Sequence, residues 1–245
     1  MKIAGSTIFV SGTNRGIGRT YVQELLAVGA RKVYAAARDT SKIDDLVKAG
    51  GGKVVPVKLD ITDAAQVAAA AKLASDTQIL INNAGVNFNK PLVGIASLDN
   101  ARTEIEVNYF GTLSMCRAFA PVLKANGGGA IVNMISILAK VVIPLMGGVC
   151  ASKAAALNMT LAVRAELAKQ GTHVMAVMPG AVDTDMTAGV EMPKEQPVDI
   201  AKAVIAGLEN GEEEVCPGGM AQGFLAGLKN DPKALEKELA QYLPQ

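Results

Sequence analysis

TIFVSGTNRGIG, residues 7–18, runs from a short apolar stretch through a glycine-rich turn into a helical pattern. Thr7-Ile8-Phe9-Val10 reads as a buried strand, and Ile17 to Val28 as a helix ended by Gly29. In the turn, Gly12 permits a tight reversal, Gly16 lets the backbone approach a bound anion, and Gly18 lets helix and strand pack closely. The free N–H groups at the helix start, with the helix dipole, favour negative charge there. The spacing is GxxxGxG rather than GxGxxG, so the strand–turn–helix context gives these glycines their meaning. Gly12, Asn14, Arg15, Gly16, Ile17 and Gly18 are the candidate binding residues of this loop.

Downstream, short β-branched runs alternate with longer helical patterns. Further strands are expected at Val33-Tyr34-Ala35-Ala36-Ala37, Val54-Val55-Pro56-Val57, Ile79-Leu80-Ile81, residues 130–134 and 173–177, and briefly at Glu214-Val215-Cys216. Helices are expected over 64–75, 101–126 and 150–170, with a charged amphipathic one near 231–242. The alternation, with continuously apolar strands, predicts an α/β fold. It is a Rossmann-type, doubly wound parallel sheet of about seven strands with helices on both faces. No repeat, low-complexity segment or linker divides the chain, so one domain over 1–245 is expected. Turn residues concentrate at 85–97 and 183–199; the second segment leaves the sixth strand and is the expected substrate lid.

Half of the 245 residues are hydrophobic and 19% are charged, which suits a packed globular chain. With Lys+Arg 24 against Asp+Glu 23, the net charge is +1. No basic run is interleaved with aromatics, so neither nucleic acid nor an anionic membrane is an expected partner. Cys116, Cys150 and Cys216 are odd in number and widely spaced. That argues for reduced thiols and against a disulfide framework or a metal site. No run reaches the roughly 20 apolar residues of a membrane span. The opening residues lack the shape of a signal peptide, and a cytoplasmic protein is expected.

An anion-binding turn of this kind suits a dinucleotide pyrophosphate. The second strand ends Ala36-Ala37-Arg38-Asp39, where an acidic residue at the strand end would grip the free ribose hydroxyl of NAD. Arg38 stands there instead, and the glycine loop adds Arg15. Two guanidiniums suit a 2′-phosphate, so NADP(H) is expected ahead of NAD(H). Both could instead be solvated surface charges, and Asp39 keeps NAD(H) in view.

In this order of motifs the chain resembles the short-chain dehydrogenase/reductase family over nearly its whole length. SGTNRGIG is similar to the family's TGxxxGxG, with Ser11 for threonine. Arg38 followed by Asp39 is similar to the strand end of NADPH-dependent carbonyl reductases. The resemblance implies that Asp60, with Ile61 beside it, contacts the adenine, and that NNAG, through Asn83, Ala84 and Gly85, closes the cleft beside the adenine ribose. It implies that Asn108 holds a water of the proton relay and that Ser136 hydrogen-bonds the substrate oxygen. Pro179, Gly180, Val182 and Thr184 resemble the PGxVxT segment that clamps the nicotinamide carboxamide. The implied reaction is reversible reduction of ketones or aldehydes to alcohols by hydride from NADPH. The implied assembly is a homodimer or homotetramer, paired through the helices at 101–126 and 150–170. Alanines on several faces of the second helix agree with that.

The family signature is YxxxK, its tyrosine thirteen residues after the serine. Counting from Ser136 gives Val149, and four further gives Lys153. In the family, tyrosine exchanges the proton with the substrate oxygen. The lysine ammonium one turn away lowers the phenol pKa and binds the nicotinamide ribose. Val149 can neither donate nor accept a proton, and Cys150 points about 100° away round the helix. Three readings follow. The chain is an engineered or inactivated reductase, a natural enzyme with another proton route, or a non-catalytic NADP(H)-binding sensor or interaction protein. Ser136 and Asn108 could also serve as cap or packing residues. His173 reads as structural, and Met175, Met178, Met186 and Met192 as core and lid filling. The apolar 85–97 loop and lid point to hydrophobic carbonyl substrates.

Overall fold

The computed structural model describes residues 1–189 and 191–243. Val190, inside the expected lid, and the last two residues of the expected domain lie outside the described residues. Seven parallel strands form one sheet: β1 (Thr7–Ser11), β2 (Lys32–Ala37), β3 (Val54–Lys58), β4 (Ile79–Asn82), β5 (Ala130–Met134), β6 (His173–Val177) and β7 (Glu214–Val215). Their order is β3-β2-β1-β4-β5-β6-β7, the doubly wound arrangement expected. Pro56, which has no N–H to give a ladder, sits on edge strand β3.

The α-helices are α1 (Gly16–Ala27), α2 (Asp44–Ala49), α3 (Ala64–Leu73), α4 (Asp99–Ile105), α5 (Thr112–Ala125), α6 (Gly147–Leu167), α7 (Pro197–Asn210), α8 (Gly219–Asn230) and α9 (Pro232–Leu239). Side chains alternate across the strands. Ile8 and Val10 pack with Tyr21, Leu25, Val204 and Leu208, so α1 and α7 cover one face. Phe9 and Leu80 pack with Val67, Phe119, Met159 and Val163, which places α3, α5 and α6 on the other. Met175 is wholly buried on the α1 and α7 face, and Met178 in a small cluster with Ile135, Leu157 and Ala176.

Several expectations need correction. The helix expected over 101–126 is broken by a π-helical segment, Glu106–Gly111, between α4 and α5. The lid expected over 183–199 ends earlier, because Pro197 opens α7 as its first residue and Gly211 closes that helix in the left-handed region. The amphipathic tail helix is shorter than 231–242, and α2, α7 and α8 were not anticipated at all. Residues 144–170, which include α6, are by length and composition apolar enough to cross a membrane, contrary to the sequence expectation. They are not a lipid-facing rod: 56% of their most apolar window is buried inside the fold, where Met159 and Val163 pack against the sheet.

Candidate active site

The strand order reverses between β1 and β4, and there the loops at the carboxyl ends of the strands part to leave a cleft. It has a volume of about 1060 Å³. Gly12 adopts φ +72, and a Cβ on it would stand 2.9 Å from the Ala84 Cα. A Cβ on Gly18 would run into the carbonyl oxygen of Gly12. Arg15, the N-cap of α1, makes no side-chain cap, so the first N–H groups of that helix remain free for an anion. Ser11 ties this loop to the next turn, its hydroxyl accepting from the N–H groups of Asn83 (3.0 Å) and Ala84 (3.1 Å). The Asn83 amide donates in return to the Ser11 and Gly12 carbonyls, at 3.0 and 3.1 Å.

At the end of β2 a smaller recess of about 90 Å³ is bordered by Asn14, Arg38, Asp39 and Lys42. The Asp39 carboxylate turns into the following 3-10 turn and accepts from the Ser41 hydroxyl (2.7 Å) and N–H (3.1 Å). Those bonds hold its pKa below the ordinary value. The recess therefore presents two cations, Arg38 and Lys42, and an acid already engaged. Lys42 was not singled out in the sequence. Arg15, expected beside Arg38, lines the main cleft but not this recess, and its guanidinium reaches Asp185 of the lid at 3.4 Å. Asp60 and Ile61 line the main cleft, where Asp60 accepts from the Thr62 hydroxyl at 2.7 Å.

At the other end Ser136, Val149 and Lys153 share the cleft wall, with Pro179, Gly180, Val182 and Thr184 opposite the glycine loop. The Ser136 hydroxyl accepts from the Leu138 N–H at 3.2 Å and donates to the Pro179 carbonyl at 3.4 Å. It is thus both a cap and a cleft residue. Lys153 donates to the Met134 carbonyl at 2.9 Å, and burial lowers its pKa to about 8. Val149, 3% exposed, faces the same space with two methyl groups and no proton. Cys150 is buried outside the cleft, its thiol 3.9 Å from the Ile143 carbonyl. His173 lies away from the cleft, its Nε2 2.9 Å from the Glu212 carbonyl oxygen.

Asn108 is the sequence candidate that does not line the cleft. Its carbonyl accepts from the Val86 N–H at 2.9 Å, and its amide donates to the Val86 carbonyl and the Ser152 hydroxyl, each at 2.9 Å. Ser152 in turn donates to the Val149 carbonyl at 2.8 Å. Both donors of the Asn108 amide and one bond to its oxygen thus fix the turn after Gly85 to the start of α6.

Much of the apolar wall was not anticipated. Met220 and Phe224 of α8 line the cleft, as do Ile143, Leu145 and Met146 ahead of α6. Tyr242 joins them, its carbonyl accepting from the Leu145 N–H at 3.3 Å. Met186 and Met192 reach in from the lid. The lid's neck is closed by a parallel bridge between Val182 and Glu195. The Glu195 carboxylate also accepts from the Gly219 N–H at the start of α8, at 2.8 Å.

A family model described as short chain dehydrogenase matches residues 6–195. A short chain dehydrogenase from Burkholderia cenocepacia, solved in complex with NADP, superposes with a TM-score of 0.93 at 48% identity, covering 98% of this chain and 99% of that one. A short-chain dehydrogenase from Sphingobium yanoikuyae in complex with NADPH gives a TM-score of 0.80 at 25% identity, with 98% of both chains covered. The NADP-dependent 3-hydroxy acid dehydrogenase of Schizosaccharomyces pombe is 31% identical over 196 residues, 76% of this chain and 75% of that protein.

Proposed function

The chain belongs to the short-chain dehydrogenase family, and from that membership and the cleft we propose that it binds NADP(H) and acts on carbonyl compounds and their alcohols. The observation that carries the reading is convergence: the Gly12–Gly18 loop, the Asn83–Gly85 turn, Ser136, Lys153 and Thr184 all face one cleft. The residues fit the dinucleotide. Gly12 and Gly18 let the loop close on itself and on the Asn83–Ala84 turn, where Cβ atoms would clash, and the uncapped start of α1 suits a pyrophosphate. Arg38 and Lys42 suit a 2′-phosphate better than a free ribose hydroxyl. Lys153 would hold the nicotinamide ribose.

When bound, the reduced dinucleotide supplies a hydride to a carbonyl carbon. The chain's own part is to orient that carbonyl through the Ser136 hydroxyl, to exclude water with the Met- and Phe-lined wall, and to deliver a proton to the carbonyl oxygen. Val149 leaves the last task without a side chain at the place where Lys153 would support one. The reading is therefore a reductase of hydrophobic ketones or aldehydes whose turnover is low as it stands. We place it in the cytoplasm as one domain. Its copies would pair through the outer faces of α5 and α6, where Phe110, ahead of α5, and Leu161 are exposed.

Titration of NADPH fluorescence, followed by a carbonyl panel on this chain and on Val149→Tyr, tests the reading. NADPH binding with slow turnover that the tyrosine raises supports it. Tight NADPH binding with no turnover by either protein favours a sensor, and no binding sinks both. A monomeric mass by light scattering at micromolar concentration would end the pairing proposal.

A further inference from the structure

Ala181 lies in the segment that the resemblance assigns to the nicotinamide carboxamide, and it is held from both sides. Its carbonyl accepts from the Glu195 N–H at 3.0 Å, across the neck of the lid. Its own N–H donates to the Met220 sulfur at 3.4 Å. The Glu195 carboxylate accepts the Gly219 N–H at 2.8 Å, so the residue beside Met220 is tied to the same neck. These three bonds close a ring through Ala181, Glu195 and the start of α8. Gly180 makes room for it. Its φ is not positive, so its backbone conformation does not require a glycine. A Cβ on it, however, would stand 2.8 Å from the Met220 Cβ and 3.1 Å from the sulfur, so Met220 lies directly on the segment's backbone. Pro179 is fixed separately, its carbonyl accepting the Ile137 N–H at 3.0 Å.

We infer that Met220 is a positioning residue for the nicotinamide end of the dinucleotide, acting through Gly180 and Ala181. This rests on the reading of the cleft as an NADP(H) site. Gly180, Ala181 and Met220 all line that cleft. Between β6 and the 3-10 turn that opens at Asp185 the chain has no helix, and its one ladder contact is the bridge at Val182. The depth of Gly180 and Ala181 in the cleft is therefore set by what neighbouring segments press or bond against them. Truncating Met220 would leave the Ala181 N–H without its acceptor and open space over Gly180. The other end of the dinucleotide site, at Arg38 and Lys42, is a separate recess that Met220 does not border. A change at Met220 thus acts on one end of the ligand and spares the other.

The test titrates the wild-type chain and Met220→Ala with NADPH and with 2′,5′-ADP, which carries the adenosine and its 2′-phosphate but no nicotinamide. Met220→Ala should weaken NADPH by about 5- to 10-fold and leave 2′,5′-ADP within about twofold. The fluorescence anisotropy of NADPH at saturation should fall, because the nicotinamide is held less firmly. Met220→Gln keeps the stem and offers an oxygen to the Ala181 N–H, so it should restore both the affinity and the anisotropy. Equal weakening of the two ligands would mean that Met220 only supports the fold, and would overturn the inference. So would NADPH binding unchanged by Met220→Ala, or a glutamine variant as weak as the alanine one. A wild-type chain that binds neither ligand overturns the NADP(H) reading and this one with it; the other failures overturn this one alone.

Discussion

Arg15 of the phosphate loop and Asp185 of the lid stand 3.4 Å apart and join the two sides of the cleft mouth. Both side chains are mostly exposed, at 61% and 68%, so the pair is weak and screened by salt. If Arg15 also serves a 2′-phosphate, Asp185 competes with the ligand for it. Asp185→Asn should then tighten NADPH by up to about fivefold at low salt, leave NADH unchanged, and lose its effect at high salt. Fluorescence titration reads all three. Equal tightening of both dinucleotides would show that Arg15 does not serve that phosphate.

Arg38 borders the recess at the end of β2 together with Lys42, while Asp39 is committed to Ser41. Arg38→Ala should weaken NADPH by about 10- to 100-fold, the scale of a charge-assisted hydrogen bond, with little effect on NADH. Competition between the two dinucleotides checks it. An intact preference would assign the phosphate to Lys42 alone or to neither residue.

Val149→Tyr places a proton-bearing group one helical turn from Lys153. Carbonyl reduction should rise by roughly 10²- to 10⁴-fold, the usual contribution of a general acid. The rate should also acquire a pH dependence set by the phenol, whose ionisation the neighbouring ammonium favours. NADPH affinity should stay level, since the phosphate loop is untouched. An unchanged rate would mean that the proton already arrives by another route.

Glu104, 3% exposed, accepts the Phe88 N–H and packs on Gly148 at the start of α6. Burial raises its pKa above the ordinary 4.5, so the folded chain holds this proton more tightly than the unfolded one. Its contribution to stability is therefore fully present below the unfolded value and is lost as pH rises through the folded one. Glu104→Gln keeps the acceptor and has no charge to bury. It should raise Tm at pH 7 by about 2–4 °C, an advantage that fades below the ordinary carboxylate range. Thermal melts from pH 4 to 8 decide. A lower Tm at pH 7 would mean that the dipole of α6 stabilises the carboxylate more than burial costs.

The sheet and its cofactor side were legible because they rest on local pattern. The β-branched runs became strands, and the glycines at 12, 16 and 18 stand where their spacing placed them. Helix α7 carries its own signals, Pro197 at the start, Ile200, Val204 and Leu208 at helical spacing, and Gly211 at the end, but the turn residues ahead of it obscured them. Helix α8 is harder, since Gly219, Gly223 and Gly227 lower its intrinsic propensity and only packing makes it helical. The engagement of Asn108 with Val86 and of Arg15 with Asp185 could not be read at all. Each joins segments distant in sequence, and no local period records such a meeting. Val149 lines the cleft together with Ser136 and Lys153, and the count that joins the three spans only one loop and the start of one helix.

The bridge between Val182 and Glu195 has a consequence for how this site could change. With its ends already joined and Glu195 anchored to Gly219, the lid is a closed loop whose length is decoupled from the sheet. The conformational entropy lost in closing a loop grows only with the logarithm of its length, about 0.6 kcal/mol for each doubling. Residues inserted between the two sides of the bridge would alter the lid's reach over the cleft at little thermodynamic cost. The frame that holds Ser136, Lys153 and the phosphate loop would not have to move.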